Sequence, residues 1–227
     1  MSTGLSSNGI ARRVVQDIPD GAYVNLGIGM PMKVGEHLPE DKEIMLHTEN
    51  GMLGMGPTPT DEKDYNWDLI NAGKQPVSIM PGGSFFHHAD SFVMIRGGHI
   101  DVSILGAYEI AENGDVANWM LPGPKPPAVG GAMDLAAGAK QVWVMLAAHV
   151  SKKDEPRILE KCTLPLTGVQ CVTRIYSDLA VVDISADGLE VSAMVEGISE
   201  SELEDMTGAK LHFRSGYETL VPREAAA

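Results

Sequence analysis

Two short apolar runs near the amino terminus, residues 23–28 and 43–47, are separated by Gly29-Met30-Pro31 and a stretch long enough for one short helix. Apolar runs of this length bounded by turn residues read as buried strands. Pro31 suits the first position of a helix, where the N–H it lacks would have had no partner in any case. Strand, helix and strand make a βαβ unit. Such a unit implies parallel strands joined by a right-handed crossover, so it commits the chain to a sheet with helices on its faces.

The remaining pattern agrees with an α/β domain. Ile10, Val14, Val15 and Ile18 recur at helical spacing, with Ser7 or Asn8 as candidate caps, and Pro19-Asp20-Gly21 then turns the chain. Further strands are predicted at residues 77–80, 99–105 and 141–147. Asn113-Gly114 predicts a hairpin between 107–111 and 115–119, and Asp187-Gly188 one between 179–184 and 189–194. Ser199 with Glu202 forms a capping box for a last short helix. Residues 51–74, rich in Gly, Pro, Asp and Asn, read as a long loop. The expected architecture is a mixed, largely parallel open sheet covered by helices, built as one domain over residues 1–227 with flexible ends at about 1–7 and 216–227.

Composition narrows the partners. The formal net charge of −14 repels nucleic-acid phosphates. No run reaches the roughly 20 apolar residues of a membrane-spanning helix, and the short polar start lacks the plan of a secretory signal, so a cytoplasmic address is expected. Two cysteines, Cys162 and Cys171, are too few for a disulfide framework and wrongly spaced for a close metal clip; packed thiols are expected. His87-His88 with Asp90 is a poor metal site, because adjacent side chains point different ways. No metal is expected.

Two strand ends run into glycines, at Asn25-Leu26-Gly27-Ile28-Gly29 and at Val129-Gly130-Gly131-Ala132. Glycine lets backbone approach a ligand closely, and a following helix start offers free N–H groups to an anion. A plain tight turn fits either run equally well. The second predicted strand delivers Glu49 directly onto Asn50-Gly51. In open α/β sheets ligands sit outside the carboxyl ends of the strands, so this carboxylate is either an active-site group or an ordinary solvated residue on a turn.

The run His47-Thr48-Glu49-Asn50-Gly51-Met52-Leu53-Gly54 resembles the Ser/Thr-Glu-Asn-Gly signature of the B-type subunit of family I CoA transferases. Other runs agree in order: Ile70-Asn71-Ala72-Gly73-Lys74, Met94-Ile95-Arg96-Gly97-Gly98-His99, Asp115-Val116-Ala117-Asn118-Trp119-Met120, Gly130-Gly131-Ala132-Met133-Asp134-Leu135 and Lys161-Cys162-Thr163-Leu164-Pro165-Leu166-Thr167-Gly168. The resemblance spans roughly residues 8–213.

It implies a CoA transferase-like fold and an enzyme that moves CoA between carboxylic acids by ping-pong exchange. Glu49 would be the nucleophile that becomes a glutamyl-CoA thioester. Gly131 would offer a backbone N–H to the oxyanion, and Asn25 would either add a side-chain amide or cap a turn. Such a donor would keep the Glu49 pKa from rising in a dry pocket. Gly27, Gly29, Asn50, Gly51 and Gly130 are expected around the substrates. Lys74 is either a partner for a CoA phosphate or a solvated surface lysine. His47 is expected to pack rather than act as a base. No cofactor is implied, the CoA thioester being a substrate. The implied partner is an A-type subunit, in a heterotetramer of two A-type and two B-type chains.

The resemblance points to succinyl-CoA as donor and a 3-oxo acid such as acetoacetate, of ketone body metabolism, as acceptor. Leu121-Pro122-Gly123-Pro124-Lys125-Pro126-Pro127 departs toward members that act on 3-oxoadipate. A non-catalytic CoA-binding partner is the rival from another class, and retention of Glu49 with both glycine turns speaks against it.

Overall fold

The computed structural model describes residues 4–123 and 126–222. Helix α1 (Ser7–Asp17) buries Ile10, Ala11, Val14 and Val15. Its cap is Ser6, one residue before the expected position: the extended backbone there lets its hydroxyl accept the Gly9 N–H at 3.1 Å. Strand β1 (Tyr23–Leu26), a 3-10 helix over Met30–Glu36 and β2 (Met45–Thr48) form the anticipated unit, with β1 and β2 parallel and Asn25 opposite His47.

The stretch 51–74 is not one loop. Asn50-Gly51 closes a tight turn, with the Gly51 N–H on the Thr48 carbonyl at 3.1 Å, and β3 (Met52–Met55) returns antiparallel to β2. Gly51 has a φ of 112°, which suits glycine alone. β4 (Ile79–Phe85) adds an edge to β3. Helix α2 (His88–Arg96), which the sequence pattern does not predict, follows and is capped by His87, whose Nδ1 accepts the Ala89 N–H at 3.1 Å.

Next come β5 (Val102–Gly106) and the small hairpin of β6 (Glu109–Ala111) and β7 (Val116–Ala117), turned at Asn113-Gly114 as expected. Helix α3 (Ala132–Gly138), β8 (Gln141–Met145), β9 (Ile158–Leu159) and β10 (Val172–Tyr176) follow. The second predicted hairpin is β11 (Ala180–Ser185) with β12 (Gly188–Val195). Helix α4 (Glu200–Asp205) carries the predicted Ser199–Glu202 capping box. Strand β13 (Leu211–Leu220) lies parallel to β12 and carries regular structure into the stretch expected to be a loose end; residues 223–227 lie outside the described residues.

The main sheet has ten strands in the order β13-β12-β11-β10-β8-β5-β1-β2-β3-β4, and β7-β6-β9 form a small second sheet. The centre, β10-β8-β5-β1-β2, is parallel throughout. Antiparallel pairs join β2 to β3, β3 to β4, β10 to β11 and β11 to β12. Val24, Leu46, Val102, Ile104, Val142, Val144 and Ile175 are buried along the centre, each worth about 1.5–3 kcal/mol of burial. Helix α1 is docked by Asp17, which accepts from Arg174 at 2.9 Å and from the Tyr176 hydroxyl at 2.7 Å. Trp143 is a core residue, Trp119 donates to the Leu166 carbonyl at 3.2 Å, and Trp67 is exposed. Both cysteines are free, and burial pushes each thiol up to about 11, which keeps it protonated at neutral pH.

Candidate active site

The carboxyl ends of β1, β2, β5 and β8 open into one cleft of about 600 Å³. Gly27 follows β1, Glu49 follows β2, Gly106 ends β5, and Met145 ends β8; the turn Val129–Gly131 before α3 closes the opposite wall. Parallel strands direct all these ends to one side, so residues far apart in sequence converge there.

Glu49 lies against Gly131. A Cβ built on Gly131 would run into Glu49 Oε2 and lie 2.9 Å from its Cδ. Only a residue without a side chain lets this backbone meet the carboxyl group. Among the described residues no hydrogen bond engages the Gly131 N–H. Gly130, at φ 53°, makes the left-handed bend that brings Gly131 forward. Gly27 is buried because β1 and β5 close tightly there: its N–H donates to the Ile104 carbonyl at 2.8 Å, and a Cβ would meet that oxygen at 3.0 Å.

The backbone that carries Glu49 is held on both sides. Asn25 Nδ2 can only donate, so His47 Nδ1 accepts from it at 3.0 Å and the proton resides on Nε2. Nε2 then donates to Ser91 Oγ at 2.9 Å, and the Ser91 hydroxyl donates to the Thr48 carbonyl at 3.3 Å. Burial lowers the His47 pKa to about 4, which keeps the ring neutral. On the other side, His88 Nδ1 donates to the Glu49 carbonyl at 2.9 Å. The adjacent histidines 87 and 88 are thus a helix cap and a backbone clamp.

Burial raises the Glu49 pKa; the His88 charge opposes the shift, and Asp134 adds to it. A nearby amide or N–H donor was expected to keep this pKa from rising, and it is raised all the same. The Asn25 amide is instead committed beneath the site, to His47 Nδ1 and to the His47 carbonyl at 3.3 Å. A raised pKa makes the ionised carboxylate a stronger nucleophile.

The cleft therefore brings together Glu49, Gly27, Gly130 and Gly131. Other sequence candidates stand elsewhere. Asn25 is buried one layer down. Asn50 is exposed, and its amide pins the Ile70 carbonyl at 2.7 Å. Gly51 is buried where a Cβ would strike the Phe86 carbonyl, so its glycine serves the turn. Gly29, at φ 94°, is exposed and absent from the cleft lining, as is Lys74, which holds a left-handed turn at φ 64°.

The structure adds residues that sequence reasoning did not single out. Asn118 lines the cleft between Gly106, whose carbonyl its amide reaches at 3.1 Å, and Thr167, whose hydroxyl donates to it at 2.7 Å. Its place in the Asp115–Met120 run was a usable signal. Tyr108 and Arg157 also line the cleft, and neither carries a local motif.

Comparison with known proteins agrees with this geometry. The family model for coenzyme A transferase matches residues 8–202. The chain is 54% identical over 209 residues to the B-type subunit of the 3-oxoadipate CoA-transferase of Acinetobacter baylyi, covering 91% of this chain and 95% of that one. It is 46% identical over 200 residues to the B-type subunit of a probable succinyl-CoA:3-ketoacid coenzyme A transferase of Bacillus subtilis, covering 88% and 92%. In fold it is similar to an acyl-CoA transferase apoenzyme of Escherichia coli O157:H7, with a TM-score of 0.74 at 16% identity over 98% of this chain and 44% of that one. A carboxylate pressed against a bare backbone turn, in a chain matched by that model over most of its length, leads to one assignment: the chain belongs to the coenzyme A transferase family and is an enzyme of that class.

Proposed function

We propose that this chain is the B-type subunit of a two-subunit transferase that moves CoA from succinyl-CoA to a 3-oxo acid through a thioester on Glu49. The observation that carries the reading is the contact between the Glu49 carboxyl group and the Gly131 turn.

The chemistry balances without a cofactor. A Glu49 oxygen attacks the thioester carbonyl, the C–S bond breaks, and CoA leaves as thiolate from a mixed anhydride. The thiolate attacks Glu49 Cδ, releases the first acid as carboxylate, and leaves Glu49 as its CoA thioester. The second acid runs the same steps in reverse and regenerates the Glu49 carboxylate. Each addition places negative charge on a carbonyl oxygen, and one preset donor such as the Gly131 N–H is worth about 3–4 kcal/mol. The Asn25–His47–Ser91 chain acts on geometry alone: a neutral His47 holds the strand end still and carries no proton in the reaction.

The acceptor is a 3-oxo acid. The higher identity to a 3-oxoadipate transferase subunit than to a 3-ketoacid one favours 3-oxoadipate, with acetoacetate second. The partner is an A-type subunit, in a two-plus-two assembly. Ile28 and Leu121 at the cleft, with Val93 on α2 and Met133 on α3, are exposed apolar side chains of the kind that mark an interface.

The test is reconstitution with the A-type partner and assay with succinyl-CoA. Wild type shows ping-pong kinetics, and mass spectrometry finds CoA on the peptide bearing Glu49. Glu49→Gln folds and assembles but loses exchange by at least about 10³-fold. Exchange at the wild-type rate in that variant removes the mechanism.

A further inference from the structure

Among the described residues that line the cleft, only Glu49 and Arg157 carry a formal charge. Arg157 precedes β9 and is fastened through its backbone: its N–H donates to the His149 carbonyl at 3.3 Å, and its carbonyl accepts the Ile110 N–H at 2.9 Å. Arg157 is half-buried, and its guanidinium is poorly supplied. Its Nε is buried without a hydrogen-bond partner, and Nη1 reaches the Ala107 carbonyl only at 3.5 Å. Among the described residues it makes no ion pair. Asp178 feels its charge, but that carboxylate is turned to the His149 N–H at 2.7 Å.

A partly buried guanidinium left without an anion is costly, and its planar fork of donors matches a carboxylate. The wall that shares the cleft with these two charges is apolar and small, including Leu105, Ala107, Met145 and Ala147. A reactive carboxylate, an apolar wall and a cation describe a site for a carbon chain with an acyl group at one end and a free carboxylate at the other.

We propose that Arg157 binds the distal carboxylate of a dicarboxylic substrate, the remote acid group of succinyl-CoA and of 3-oxoadipate, and so sets the preference for diacids over monoacids. This rests on the transferase reading above and specifies the acid-binding half of the same cleft. The phosphates of CoA are the other anions available. They lie the full length of the pantetheine arm from the sulfur, whereas the short chain of a diacid keeps its second carboxylate inside the cleft that holds Glu49.

The experiment uses the reconstituted two-subunit enzyme with succinyl-CoA as donor. The acceptors are 3-oxoadipate and 3-oxohexanoate, which has the same chain length and no distal carboxylate. In a ping-pong exchange kcat/KM for the acceptor reports only the discharge of the Glu49 thioester, so an effect on donor binding does not enter. Wild type prefers 3-oxoadipate. Arg157→Gln is expected to lower the ratio of kcat/KM for 3-oxoadipate over 3-oxohexanoate by about 10²-fold, and Arg157→Lys, which keeps the charge but not the fork, by about tenfold. An unchanged ratio overturns the proposal, as does a fall in both acceptors together or a raised KM for CoA donors without discrimination between acids. If Arg157→Gln does not assemble, the ratio in Arg157→Lys decides in the same way. Failure of the parent reading looks different, because wild type then forms no thioester on Glu49.

Discussion

Replacing Gly131 with alanine tests whether the contact between backbone and carboxyl group is the working part of the site. The backbone at Gly131, with φ −87° and ψ 4°, accepts alanine without strain, so the fold should survive with a stability change within about 1 kcal/mol. The added methyl group would collide with Glu49 Oε2, lie 2.9 Å from Cδ and 3.0 Å from Phe92 Cζ, where ordinary contacts begin at 3.4 Å. The carboxyl carbon therefore has to retreat by about half an ångström, and its nearer oxygen by more. Misplacing a reacting group by about 1 Å costs on the order of 10²-fold in rate. The expectation is a fall of about 10²-fold in kcat/KM for succinyl-CoA in the reconstituted complex, with a matching fall in the rate of thioester formation on Glu49. A thermal melt confirms that the variant is folded. A correctly folded variant with kcat/KM within threefold of wild type would refute the reasoning.

Two pH effects follow from the buried groups. His47 and His149 are held neutral by burial, their pKa values lowered to about 4 from 6.5. Their stabilising contribution is complete above pH 6.5, where neither folded nor unfolded chain is protonated, and is lost as pH falls toward 4, because only the unfolded chain takes up the protons readily. Between pH 7.5 and 5 each should cost about 2 kcal/mol. The raised pKa values of Glu49 and Asp178 work in the opposite sense, so His149→Gln is compared with wild type by urea unfolding across that range, and equal slopes would count against it. For activity, Glu49 must be ionised, so the acid limb of kcat/KM should lie above the ordinary 4.5. Asp134→Asn, which removes a repelling charge and frees Arg96 from its 2.7 Å ion pair, should move that limb to lower pH; a shift upward would show that the charges around Glu49 are misread.

Of the parallel centre, β1, β2, β5 and β8 were legible because each is a short apolar run ending in glycine, proline or a polar turn; β10 was missed, because Thr173 and Arg174 interrupt its apolar residues. β3 was hidden because Met52-Leu53-Gly54-Met55 lies between glycine and proline-rich segments, and its two buried methionines do not weigh as strand formers. α2 was missed because its apolar residues Phe92, Val93 and Ile95 crowd together rather than follow a 3–4 spacing, and Val93 faces outward. β13 escaped because its outward residues are charged: Arg214 and Glu218 find partners in Asp183 and Arg13, which no local pattern reveals. At the site, Glu49 and Gly131 came from the family resemblance, and the burial of Asn25 did not. A glycine motif shows that backbone must come close to something, without saying whether that is a ligand or a neighbouring strand: Gly51 meets the Phe86 carbonyl, and Gly27 both meets the Ile104 carbonyl and lines the cleft.

The doubling back of the chain at Asn50-Gly51 has an evolutionary side. The reactive group rides on a short turn fastened to the sheet through Thr48 and to α2 through His88, so it has little freedom to adapt to a new acid. Selectivity for the acid then falls to side chains outside that turn, such as Arg157 in the proposal above, which can be exchanged without disturbing the nucleophile. A fold arranged in this way can trade one metabolite for another while its reaction stays the same.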